Sequence, residues 1–251
     1  MRLALWQGPS PAGNLETALE TLTRALNAAG AMGADVLVAP EIYFPGYNQP
    51  TVAAQALTQD SAAIGALRHA AQTAGCALVV GYAERVAGTV FNSALAIGAD
   101  GALLANYRKI QLYGPREAAL YVPGDTYVTF TLGSVKAAIL ICYDVEFAPH
   151  VKALADQGTQ VILVPTANMM PFTHVVRHTV PAMAANHGVS IVYANYCGVE
   201  GDLTYVGGSL IAGPHGEVLA QAGEGPALLM ADLPARDAYR LSTQASDLRQ
   251  I

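Results

Sequence analysis

Four side chains in this sequence could do chemistry together. The segment AAILICYDVEF (137–147) runs small and branched apolar residues straight into a thiol, Cys142, followed at once by Tyr143, Asp144 and Glu146. DVLVAPE (35–41) ends on a carboxylate, Glu41, and ALLANYRK (102–109) ends on an ammonium, Lys109, with Glu117 eight residues further on. Singly, each has an ordinary reading: a solvated acid, an exposed lysine, a small core cysteine. Together, a thiol, a base and a cation at the ends of three strands suit an activated nucleophile that forms a covalent intermediate.

A thiol with an ordinary pKa near 8.5 is only a few per cent ionised at neutral pH. A lysine about 4 Å away could supply ~4 kcal/mol at an effective dielectric of 20, enough to activate it. Two carboxylates, a thiolate and one ammonium cannot all be comfortably ionised in a closed pocket. The set is therefore expected to titrate as a coupled group that holds an extra proton near neutrality.

The elements that must position these groups follow from hydrophobic period and punctuation. Residues 3–7 read as a strand. Asn14 caps a helix with Leu15, Ala18, Leu19, Leu22, Leu26 and Ala29 on one face and Gly33 beyond its end. A second helix starts at Asp60 or Ser61 and stops near Gly75, and CALVVGYAE (76–84) is the next strand. FNSALAIG and ALLANYRK flank Ala99-Asp100-Gly101 as a hairpin. Residues 109–126 read as a long functional loop. Strands follow at 127–132 and 135–141, then a helix opened by Pro149 and running to Gly158, and a strand at 160–165. A helix over 173–187 should break or kink at Pro181. Strands at 190–196, 209–213, 217–221 and 227–233 precede a tail, 234–251, expected to dock on a partner subunit. Alternating helices and strands with antiparallel hairpins between them imply an α/β chain with two mixed sheets and helices outside. No linker divides it, so 1–251 reads as one domain.

Totals narrow the function. With 53% hydrophobic and 13% charged residues, and much alanine, the surface is sparsely charged, which suits a homodimer or higher homo-oligomer. No apolar run reaches the ~18–20 residues of a membrane span, and the N-terminus is not a convincing signal peptide, so a cytoplasmic protein without a membrane partner is expected. A net charge of −6 disfavours nucleic acid. Three scattered cysteines, Cys76, Cys142 and Cys197, form neither a disulfide framework nor a zinc motif.

APEIYFPGYN with Glu41, NYRKIQLYGPRE with Lys109 and Glu117, and ILICYDVEFAP with Cys142 resemble, in order and separation, the three signature blocks of the nitrilase superfamily of carbon–nitrogen hydrolases. The resemblance extends from the first strand to about residue 233. It implies a four-layer α-β-β-α sandwich, usually dimeric or larger, with catalytic roles for Glu41, Lys109 and Cys142, a supporting role for Glu117, and the backbone N–H of Tyr143 in the oxyanion site. It implies no metal or organic cofactor and a small-molecule amide as partner. Cys-Tyr-Asp is similar to the amidase branches, whereas nitrilases tend to carry Trp-Glu after the cysteine. VPTANMMPF, VYANYCG and the closing SDLRQ look closest to bacterial aliphatic amidases, the 5-aminopentanamidases among them, so a small aliphatic or ω-amino carboxamide is the implied substrate. Pro181-Ala182-Met183 departs from the arginine-bearing segment expected there. Tyr43, Phe44, Asn168 and Phe172 are the candidate pocket residues.

Other readings are weaker. His150 is the nearest imidazole for a cysteine–histidine hydrolase, but no papain-like context surrounds Cys142. His174 and His178 have a zinc pair's spacing without the glutamate of H-E-x-x-H. Gly207-Gly208-Ser209 does not form a nucleophile elbow. A nitrilase or N-carbamoyl amine hydrolase with the same residues, a glutaminase, and a non-catalytic subunit on the same fold stay open.

Overall fold

The computed structural model describes residues 1–235 and 240–249. β1 (Arg2–Gln7) leads into α1 (Leu15–Ala31), whose first turn is capped by the Asn14 side chain accepting from Thr17 N–H at 3.0 Å. β2 (Val36–Val38), α2 (Ala62–Ala74) and β3 (Ala77–Val86) follow, with Gly75 in the left-handed conformation closing α2. β4 (Thr89–Ile97) and β5 (Leu103–Arg108) form the expected hairpin. The segment read as a long loop instead contains α3 (Gly114–Leu120). Its short length and the glycine and proline at its start hid the helical period.

β6 (Thr129–Leu132) and β7 (Val135–Ile139) run into a short 3₁₀ turn, Cys142–Glu146, then α4 (Ala148–Asp156) and β8 (Val161–Pro165). The helix broken by proline is a π-helical turn, Val175–Thr179, continuing as α5 (Val180–His187). β9 (Ser190–Ala194) precedes a small ribbon, β10 (Val199–Glu200) with β11 (Leu203–Thr204), that the sequence reading missed because two-residue strands carry no period. β12 (Leu210–Ala212), β13 (Val218–Gln221) and β14 (Ala227–Asp232) complete the set.

Two six-stranded mixed sheets result, ordered β14-β1-β2-β3-β4-β5 and β13-β12-β9-β8-β7-β6. In each, three central strands are parallel because helices connect them, and antiparallel strands flank them on both sides. Strand alternation divides the apolar residues into layers. Leu3, Leu5, Val36, Val38 and Val79 face the second sheet across one buried core, while Ala4, Leu37, Leu78 and Val80 face α1 and α2 through Leu22, Leu26, Ile64 and Leu67. α4 and α5 cover the second sheet with Val151, Leu154, Val180 and Ala184. The fold is a four-layer α-β-β-α sandwich.

Residues 236–239 and 250–251 of the tail lie outside the described residues. Of the rest, Leu241 lies over Gly188 at the end of α5, and Gln244, Ala245 and Leu248 border a groove against α4 and α5 of the same chain.

Candidate active site

Three strands stop just before the residues of interest. Glu41 follows β2, Lys109 follows β5, and Cys142 follows β7. Lys109 N–H still donates to Asn92 C=O at 2.8 Å, so the hairpin ladder sets where the lysine leaves the sheet. Glu41 is fixed by the other sheet: its N–H donates to Thr166 C=O at 3.3 Å, and Tyr196 Oη donates to its carbonyl at 2.9 Å. Gly81 on β3 lies so close behind that a Cβ there would run into the backbone of Glu41 and Ile42.

The charged groups meet in direct contact. Lys109 Nζ donates to Glu41 Oε1 at 2.7 Å and to Glu117 Oε1 at 2.9 Å, and all three side chains are fully buried. Asn92 Nδ2 also donates to Glu41 Oε1, at 2.7 Å, whereas Glu41 Oε2 is buried without a hydrogen-bond partner among the described residues. Glu117 accepts from Tyr47 Oη at 2.7 Å and, through Oε2, from Tyr113 N–H at 2.8 Å, which ties α3 to its own entrance.

Cys142 opens its 3₁₀ turn with φ at 46°, in the left-handed region that a side chain rarely adopts. Asp144 holds that turn, accepting from Ile141 N–H at 3.0 Å, Tyr107 Oη at 2.8 Å and Gln111 N–H at 2.7 Å. One carboxylate thereby joins the nucleophile turn, β5 and the segment after Lys109. The sequence reading named this residue, two after the cysteine, but gave it no role.

Ionisation follows from burial and neighbours. Burial pushes Glu41 up to about 7; Glu117 adds to the rise, while Lys109 and the Asn92 hydrogen bond oppose it. Burial acts to lower Lys109, but Glu41, Glu117 and Cys142 outweigh it and hold the ammonium well above its usual range. The Cys142 thiol is raised by burial and by Glu41, with Lys109 pulling the other way, which favours the protonated sulfur. A base, rather than a standing thiolate, is therefore needed at the moment of attack.

Cys142 opens onto a cavity of about 250 Å³. Tyr47, Tyr113, Tyr143, Asn168, Phe172 and Glu146 are among its walls. Tyr113 meets Tyr143 and Phe172 edge-on, with ring centres 5.4 and 6.0 Å away. Asn168 and Phe172 are thus placed at the cavity, and Asn168 Nδ2 donates to Phe172 C=O at 3.1 Å. Tyr43 and Phe44 are not. Both lie in the core, Tyr43 stacked on Tyr196, because the chain turns over between Glu41 and Tyr47 and sends these two rings behind the site. Tyr47, four residues on, takes the wall position expected for them. His150 bonds Gln111 and Tyr127 rather than approaching the thiol. His174 is at the cavity rim, and among the described residues no group of three or more His, Cys, Asp or Glu could hold a metal.

The profile of the carbon-nitrogen hydrolase family matches residues 2–242. The chain belongs to that family. This hydrolase is 39% identical over 241 residues, 93% of its length and 82% of the relative's, to a Pseudomonas protegens protein described as "Hydrolase in pqqF 5'region". It is 35% identical to an (R)-stereoselective amidase of a Pseudomonas species, over 80% of this chain and 74% of that one. An amidase of Nesterenkonia sp. AN1, solved as a mutant in complex with butyramide, superposes with a TM-score of 0.90 at 36% identity, covering 99% of this chain and 94% of that one. A second form of that amidase carries acrylamide added at its active-site cysteine, with a TM-score of 0.88, 37% identity and 93% of each chain covered. The hydrolase is accordingly an enzyme of carbon–nitrogen bonds with amidases among its relatives.

Proposed function

We propose that this protein hydrolyses a small aliphatic carboxamide to acid and ammonia through a thioester on Cys142. The observation that carries the reading is the buried Glu41–Lys109–Glu117 group beside a cavity that a thiol enters. Glu41 Oε2, the oxygen that no donor among the described residues occupies, takes the thiol proton as the sulfur attacks the amide carbonyl. The oxyanion is met by Lys109 Nζ and the backbone N–H of Tyr143, and losing one such donor typically costs ~10²–10³ in rate. Glu41 then gives its proton to the nitrogen, the C–N bond breaks, and ammonia leaves. Water, deprotonated by Glu41 with Glu117 nearby, attacks the thioester; the acid departs and the sulfur recovers its proton.

Glu146 supports a finer reading. Its carboxylate borders the cavity yet joins no hydrogen bond or ion pair among the described residues, and burial raises its pKa while His174 and Lys109 lower it. A substrate with a cation at the far end of its acyl chain would relieve that burial, which favours ω-amino amides. The experiment is ammonia release from short amides, ω-amino amides, carbamoyl amines and nitriles by wild type, Cys142→Ala and Glu146→Gln. Turnover of amides should vanish in Cys142→Ala, and Glu146→Gln should erase any advantage of the ω-amino amide over its neutral isostere. Comparable nitrile turnover would move the protein to the sister activity, and an adduct found only away from Cys142 would end the thioester. We also propose that copies associate into a homo-oligomer, with the tail docked on a partner subunit.

A further inference from the structure

We infer that Asn92 is a positioning residue that makes the two oxygens of Glu41 unequal, so that Oε2 alone handles the protons of the cycle. The inference rests on the thioester reading above. Asn92 lies on β4, 1% exposed, one hydrogen bond from the base. Its Nδ2 and Lys109 Nζ converge on the same oxygen, each at 2.7 Å, and leave the other oxygen without a donor among the described residues. Two donors occupying Oε1 stabilise negative charge there and compete with a proton for its lone pairs, so an incoming proton settles on Oε2.

The orientation of the amide follows from the same chemistry. Turned over, its Oδ1 would face an oxygen already accepting from the lysine, acceptor against acceptor. As placed, Oδ1 is buried without a partner among the described residues, a cost that a leucine, of the same branched shape, would not carry. Folding alone therefore gives little reason for an amide at this position. Asn92 also accepts Lys109 N–H through its own carbonyl, so one residue sets the register of the lysine and the polarity of the glutamate.

Glu41 faces Lys109 from the end of β5, Glu117 from α3 and Cys142 from the turn after β7, and variants at position 92 leave all three in place. The Asn92 hydrogen bond lowers the pKa of Glu41, so its removal should shift the acid limb of the kcat/KM profile to higher pH. In Asn92→Leu, kcat should fall roughly ten- to a hundredfold with little change in KM. Asn92→Ser, a shorter donor, should recover part of the rate and of the limb position.

Thermal melts identify variants that fail to fold, and Asn92→Asp keeps the volume if leucine does not fold. In that variant a third carboxyl must share a proton with Glu41, and the acid limb should again move upward. A folded Asn92→Leu or Asn92→Asp with wild-type kcat, or with lower kcat and an unmoved acid limb, would overturn the inference. Failure of the thioester reading looks different: wild type would release no ammonia, or Cys142→Ala would retain turnover, whatever position 92 does.

Discussion

At the residue scale, the site is governed by one cation serving two buried carboxylates. Lys109→Met would leave Glu41 and Glu117 facing each other in a buried site, and breaking such a group typically costs ~3–5 kcal/mol. Part of that cost can be avoided by protonation, so the destabilisation should be larger at pH 8 than at pH 5.5, with turnover lost at both. Equal unfolding midpoints for wild type and variant at pH 8 would show that the lysine is not the counter-charge described here. The four residues of the candidate site were legible in sequence because each ends or follows a strand or sits at a fixed spacing from one. The cavity wall was not: Tyr43, Phe44 and Tyr47 are all aromatic within five residues, and only the path of the turn decides which ring reaches the substrate side.

At the element scale, close backbone approach between β3 and the turn after β2 holds Glu41. Gly81→Ala would push a methyl into the backbone of Glu41 and Ile42, which cannot swing aside as a side chain could. The expected result is at least a tenfold loss of kcat, from misplacement of Glu41, together with a lower melting temperature. A variant that melts and turns over like wild type would mean that this contact relaxes freely. Helices and hairpins were read from period and punctuation and stand close to where they were expected. α3 and the β10–β11 ribbon escaped because neither is long enough to show a period, and both gain their shape from contacts distant in sequence. Glu117 reaches Lys109 and Tyr47, and Glu200 on the ribbon accepts from Gln49 Nε2 at 2.5 Å.

At the scale of the whole molecule, buried acids make stability depend on pH. Glu41 at about 7 and the raised Asp144 bind protons more readily folded than unfolded. Each such group contributes stability that is full below its unfolded pKa and is lost as pH rises through the folded one. For Glu41 that window runs from 4.5 to about 7. Glu84, lowered by Arg108, Ser93, Asn106 and Gln59 against the effect of its burial, works in the opposite sense, losing its contribution as pH falls. Substrate-free protein should therefore resist urea better at pH 6 than at pH 8, and Glu41→Gln should flatten the difference. A stability that climbs steadily from pH 6 to 8 would contradict the assignment. The two-sheet sandwich could be anticipated as sheets with helices outside, since alternation marks both faces of each strand. Its four-layer order came from family likeness, because pattern alone does not say which faces meet.

Ile42 and Cys142, one beside the proposed base and one the proposed nucleophile, both hold φ near +45°, a conformation that costs a side-chain-bearing residue ~1–2 kcal/mol. Glycine would relax either position. Any laboratory selection that rewards folded yield alone would thus drift toward Cys142→Gly, enriching soluble, heat-resistant clones that have lost their reaction. Directed evolution of this scaffold must couple survival to ammonia production, or it will breed the activity out.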